Sequence, residues 1–136
     1  MLLLAGVVVL TAIAVVAEFI RRQRVHRLLR QMAVDRHLHF SPYDQLRLTA
    51  RVASSFPIPG AAHVRVINLL YGSEGGEYRY VFTTEYSTGA VRSKKRHSCA
   101  VAFKEPREQG QRQRHIELRM ANPELSLIEQ YRELLD

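Results

Sequence analysis

The 136-residue chain contains a single cysteine, Cys99, and no tryptophan. One thiol cannot build a disulfide framework within a chain, so the composition does not call for an oxidising compartment. The motifs of several enzyme classes are missing as well. There is no Walker or dinucleotide-binding pattern, since "GSEGG" (residues 72–76) lacks the lysine and the strand-to-helix context and suits a hairpin turn instead. Ser54 and Ser55 have no Gly-x-Ser-x-Gly around them. No Cys-x-x-Cys or His-x-x-x-His occurs, and no internal repeat is visible. These absences argue against an enzyme and against a bound cofactor.

Charge is missing from the start of the chain. From Met1 to Ala17 no side chain is charged, and the residues are mostly Leu, Val and Ala. The apolar run from Leu2 to Ile20 is interrupted only by Glu18. As a helix at about 1.5 Å per residue it reaches about 28 Å, close to the ~30 Å of a bilayer's hydrocarbon core. Val15-Val16-Ala17 loosely fits a signal-peptidase site. Against cleavage stand an n-region without a basic residue, a run longer than a usual signal core, and cations that follow the run. Arg21, Arg22, Arg24, Arg27 and Arg30 lie within about 10 residues of the apolar edge, where the positive-inside rule acts most strongly. The expected topology is therefore a retained single-pass anchor in the inner (plasma) membrane, N-terminus out and soluble domain cytoplasmic.

The net charge of +7 invites a nucleic-acid reading. Between Glu18 and Arg36, six arginines face Glu18 and Asp35, a net of +4. From His37 onward, 14 Lys and Arg face 11 Asp and Glu, a net of only +3. Most of the excess therefore sits beside the apolar run. The expected partner is a bilayer with anionic headgroups, worth about 1 kcal/mol per nearby cation. A protein partner at the membrane is a second expectation.

Past the apolar run, Val25, Leu28, Leu29, Met32 and Ala33 recur at helical spacing, so one helix is expected from Leu2 to about Arg36. His39 and Phe40 read as a short extended segment. Ser41 reads as an N-cap with Pro42 at the first helical position, opening a helix with Leu46, Leu48 and Val52 on its apolar side. From His63 the period becomes two. "HVRVINLLYG" and "EYRYVFTTEYSTG" form a hairpin, "RHSCAVAF" a third strand, and "HIELRM" a fourth with Ile116, Leu118 and Met120 inward. Asn122 and Pro123 read as the start of a last helix with Leu125, Ile128, Tyr131 and Leu135 as its apolar stripe. The expected fold is α+β: an N-terminal transmembrane helix (residues 1–20), a basic juxtamembrane helix (21–36), and a domain (37–136). That domain is a four-stranded antiparallel sheet with helices on one face.

Three constellations could carry chemistry. His37 with His39, and His97 with Cys99 and His115, have zinc-compatible donors but too few for a closed site. Tyr78, Tyr80, Phe82, Thr84 and Tyr86 share a strand face that could stack nucleic-acid bases. Alternate aromatics on a central strand more often form core, and an anchor makes nucleic acid an unexpected partner. Arg92, Lys94, Lys95 and Arg96 form a basic cluster at a loop and strand entry, the possible binding surface.

"HLHFSPYD", "VINLLYG" and "YVFTTEYSTG" resemble a group of uncharacterised bacterial membrane-anchored proteins, over residues 37–103. The resemblance implies an anchored α+β architecture and brings no catalytic residue with it. The resulting expectation is a non-catalytic binding or scaffolding domain at the cytoplasmic membrane face. Its alternatives are an accessory subunit of a membrane enzyme complex, and an extracytoplasmic module behind a signal sequence.

Overall fold

The computed structural model describes residues 1–90, 92–107 and 116–136. Helix α1 runs unbroken over Leu2–Asp35. Among the described residues, nothing buries its first half, and the apolar side chains from Leu2 to Ile20 are exposed. Its second half is part of the core, with Leu29 and Ala33 buried and Val25 and Met32 packed beside them. The helix ends in a Schellman motif. His37 takes the left-handed conformation (φ 56°). Its N–H bonds the Val34 carbonyl, and the Leu38 N–H bonds that of Ala33 at 2.7 Å.

Among the described residues, the sheet is an antiparallel meander of five strands in chain order. They are β1 (His39–Ser41), β2 (Ala62–Glu74), β3 (Glu77–Thr88), β4 (Lys95–Pro106) and β5 (Arg119–Met120). The expected four strands become five because the short extended segment at His39 and Phe40 pairs with Leu69–Tyr71 of β2. Three residues carry no periodicity of their own, so only the pairing reveals the strand. Among the described residues, the last strand is shorter than "HIELRM" suggests and pairs at Val101 and Ala102. Beyond it, the Gln130 side-chain carbonyl accepts from the Ala100 N–H at 2.8 Å and covers the β4 edge.

Gly75 and Gly76, at φ +57° and +80°, form the two-residue turn between Glu74 and Glu77. Positive φ at both positions is what a type I′ hairpin requires and what glycine supplies. A bulge interrupts β2: Ile67 pairs with Thr83 and Leu70 with Val81, so Asn68 and Leu69 together oppose Phe82. Asn68 sits at φ 51°. A strict two-residue period would put Val66 and Leu69 on opposite faces. The extra residue brings both into one core cluster.

Helices cover both faces of the sheet, not one. Helices α1 and α3 (Leu127–Leu135) pack on the face that carries Val81 and Ala100. Helix α2 (Thr49–Ser54) packs on the opposite face, with Leu48 and Val52 against Phe82, Val101 and Phe103. Strand β3 therefore buries four successive residues, Val81 to Thr84. Its charged residues on the Val81 side, Glu77, Arg79 and Glu85, lie toward its ends.

Both short helices start later than their sequence signals. Ser41 is held in β1, and the Asp44 carboxylate caps α2 by accepting from the Leu48 and Thr49 N–H groups, each at 2.8 Å. Ser126 and Glu129 form a capping box at α3. Asn122 instead accepts the Glu124 N–H in a local turn.

An ion pair fixes α2 to β4. The Arg51 guanidinium grips both oxygens of Glu105, at 3.0 and 3.3 Å, and lies over the Phe103 ring. The Glu105 side chain is only 9% exposed and that of Arg51 28%. Arg51→Met leaves a nearly buried carboxylate unpaired. The expected loss is about 2–3 kcal/mol, below the ~3–5 kcal/mol of a fully buried pair. Urea unfolding of detergent-solubilised protein measures it, and Arg51→Met with Glu105→Leu should regain most of the loss.

Candidate membrane-facing surface

All five arginines that follow the apolar run, Arg21, Arg22, Arg24, Arg27 and Arg30, are exposed. At about 100° per residue they are spread around the helix axis as a collar. Arg22 pairs with Glu18 one turn back at 3.3 Å. Arg30 lies over the Phe40 ring at 5.7 Å. Arg21 and Arg22 overhang the sheet and line a groove of about 700 Å³.

The opposite wall of that groove comes from the sheet. Arg65 on β2 stands opposite Glu85 on β3. The Glu85 carboxylate takes Arg65 at 3.1 Å and Arg96 of β4 at 4.0 Å. The groove thus holds the guanidiniums of Arg21, Arg22, Arg65 and Arg96 against the carboxylates of Glu18 and Glu85. It is net positive, and both acids are engaged. Arg65 and Glu85 carried no signal in the sequence beyond lying on strand patterns. Their pairing follows from the β2–β3 register.

Above the groove lies the β3–β4 connection. Arg92, Lys94, Lys95 and Arg96 are all exposed here. Gly89 at φ +96° turns the chain, and a Cβ there would stand 2.7 Å from the Ser93 carbonyl oxygen. The Ser93 N–H bonds back to Ala90. This turn is required for Lys95 to pair with Thr88 and for the cations to project from the sheet end.

The sequence presents these two basic sets as separate features, about 70 residues apart in the chain. The fold brings them to one end. Arg36, at the far end of α1, shares a pocket with Glu77 and Arg79, at the start of β3. Arg21 and Arg22 share the groove with Glu85, near the end of β3. Helix and strand therefore run antiparallel side by side. The spans agree: about 21 Å of helix from Arg22 to Arg36, and about 26 Å of strand from Glu77 to Glu85.

Most of the tyrosine row is built into the protein, while Tyr78 at the start of β3 is exposed. Phe82 and Thr84 are fully buried and Tyr86 nearly so. Tyr80 stacks on Phe103 at 4.7 Å, and Tyr86 meets Phe56 edge-on at 4.9 Å. Burial pushes both phenols above their usual range, with Glu105 adding to the effect at Tyr80 and Cys99 at Tyr86.

The metal-donor sets are dispersed among the described residues, where no three His, Cys, Asp or Glu converge. His97 is exposed, stacks on Tyr86 and bonds Thr88. Cys99 is buried, its Sγ 3.4 Å from the Ala121 carbonyl, and burial raises its thiol pKa. His39 stacks on Tyr71, and His37 serves the α1 terminus. His115 lies outside the described residues.

Comparison with protein-family models, with curated proteins and with solved structures found no match. The functional reading therefore rests on the chain's own geometry.

Proposed function

We propose that the protein is a single-pass membrane-anchored domain that binds or scaffolds at the cytoplasmic membrane face, without chemistry of its own. The observation that carries this is the division of α1. An 18-residue window of mean hydropathy 2.6 in this helix has none of its residues buried. The same unbroken helix then enters the core through Leu29 and Ala33. In water the run from Leu2 to Ile20 would expose twelve large apolar side chains, whereas in lipid it is in its preferred solvent. The arginine collar begins at the first residue past the run and supplies the positive-inside signal. No break separates the two halves, so the domain is held rigidly at the bilayer surface instead of on a flexible tether.

Two reporters fused after Asp136 test the topology. A reporter fluorescent only in the cytoplasm is expected to light up, and a phosphatase active only after export is expected to stay silent. The reverse pattern on an expressed protein overturns the reading. One alternative draws on a specific observation: cleavage after Ala17 would remove no buried residue of α1. In that case the mature chain is an extracytoplasmic module that starts at Glu18, and the intact mass of the protein purified from whole cells shows it directly.

A further inference from the structure

We infer that the β3–β4 turn is a second contact with the bilayer, so that Arg92, Lys94, Lys95 and Arg96 rest on anionic lipid headgroups beside the arginine collar. The inference rests on the reading of α1 as a membrane span and adds an orientation to it.

The height of the turn carries the argument. Glu85 and Thr83 line the groove opposite α1 from Glu18 to His26, so Glu85 lies within that height of the helix. From Glu85 to Thr88 the strand climbs about another 10 Å. Along α1 that rise corresponds to about six or seven residues. Counted from His26, the groove residue of α1 farthest from the apolar run, the turn after Thr88 reaches the plane where the run ends at Ile20. Counted from Arg21 and Arg22 it passes that plane by about 7 Å, and tilt of α1 returns it to the headgroup layer. The polar layer of a leaflet is about 5–8 Å thick. A turn at that height meets headgroups and cannot be held clear of them by a rigid helix.

The charge on that end fits the partner. Residues 86–104 contain no acid, and the carboxylates of the groove below, Glu18 and Glu85, are paired with arginines. The far end of the domain is balanced, with Glu74, Glu77 and Asp136 beside Arg36, Arg79 and Lys104. The excess positive charge of the folded domain thus faces the bilayer. Of the aromatic row that single-stranded nucleic acid would stack on, Tyr78 is exposed and the rest is packed against α2 or its own neighbours, and one exposed ring favours lipid over RNA.

The test uses the full chain in vesicles of phosphatidylcholine, alone or mixed with phosphatidylglycerol. A fluorophore is placed at Ser93→Cys, and a second sample carries it at Glu77→Cys at the far end. Cys99 is buried and changed to Ala in both samples. A quencher attached to lipid headgroups reports contact. Quenching at position 93 is expected to rise at least about threefold when phosphatidylglycerol is present. It should fall back in ~1 M salt, where the Debye length is about 3 Å. The quadruple variant Arg92→Gln, Lys94→Gln, Lys95→Gln, Arg96→Gln should remove the rise, while position 77 stays unquenched throughout. Equal quenching at 93 with and without phosphatidylglycerol overturns the inference. So does a response at 93 to single-stranded RNA that anionic vesicles fail to compete away. Failure of the span reading looks different, because the whole chain then washes off both vesicles in alkaline carbonate.

Discussion

With Leu10 and Ile13 both replaced by lysine, the chain is expected to leave the carbonate-washed membrane fraction. The two positions lie near the middle of the apolar run, and both side chains are exposed with no partner in the protein. A lysine at the centre of a membrane helix costs about 2.5–3.5 kcal/mol to insert, and each lost Leu or Ile forfeits about 0.5 kcal/mol more. The pair amounts to roughly 6–8 kcal/mol, enough to turn insertion into exclusion. The soluble core begins at Val25, so the domain's urea midpoint should stay within error of the parent. Retention of the double variant in the membrane would mean that something other than the helix holds the protein there.

The second large effect centres on Tyr131. Its ring is fully buried between α1 and the sheet. Its hydroxyl lies 2.7 Å from both the Asn68 carbonyl and the Thr83 hydroxyl. A phenol has one proton, and a carbonyl only accepts. Tyr131 therefore donates to Asn68, and Thr83 donates to Tyr131. That carbonyl belongs to the bulge in β2, so one side chain of α3 secures the irregularity that aligns Val66 with Leu69. Tyr131→Ala removes the ring and both bonds and is expected to cost about 3–5 kcal/mol, a large share of a small domain's stability. Tyr131→Phe keeps the ring but leaves two buried polar groups unpartnered, for about 1–3 kcal/mol.

The same group predicts a pH dependence. Burial drives the Tyr131 phenol well above its usual range, although the Thr83 bond opposes the shift. The folded state thus holds a proton that the unfolded chain releases near pH ~10. Its contribution to stability is complete below pH 10 and declines as pH rises beyond it. In Tyr131→Phe the alkaline decline should become shallower without vanishing, because Tyr80 and Tyr86 are shifted in the same direction. Urea midpoints measured from pH 8 to 11 would show it, and parallel slopes for the two proteins would refute it.

Several elements were legible from local pattern because their physics is local. The helix from Leu2 through the arginines, the Gly75–Gly76 turn and the three long strands all follow from periodicity and turn chemistry. Helix starts were misplaced where a nearby residue competed for the cap. Ser41 has a capper's side chain but is committed to pairing with Leu69. Asn122 has one too, yet Ser126 with Glu129 satisfies two backbone groups at once. On β3, Arg79 sits on the side that α1 and α3 cover, because its guanidinium reaches the Leu134 and Leu135 carbonyls at the end of α3. A charged residue in that position reads as solvent-facing until its partner is known.

The candidate surface divides the same way. The order of the residues alone determined that this chain has an apolar run of bilayer length, that arginines follow it, and that a second basic cluster lies far along the chain. Each is a property of consecutive residues. Only the tertiary structure decided that the two clusters share one end, that helices cover both sheet faces, and that Phe82, Thr84 and Tyr86 of the tyrosine row are core. Those outcomes depend on strand register, on a bulge at Asn68, and on the antiparallel course of α1 and β3. All are contacts between residues distant in sequence, and no local pattern encodes their free energy.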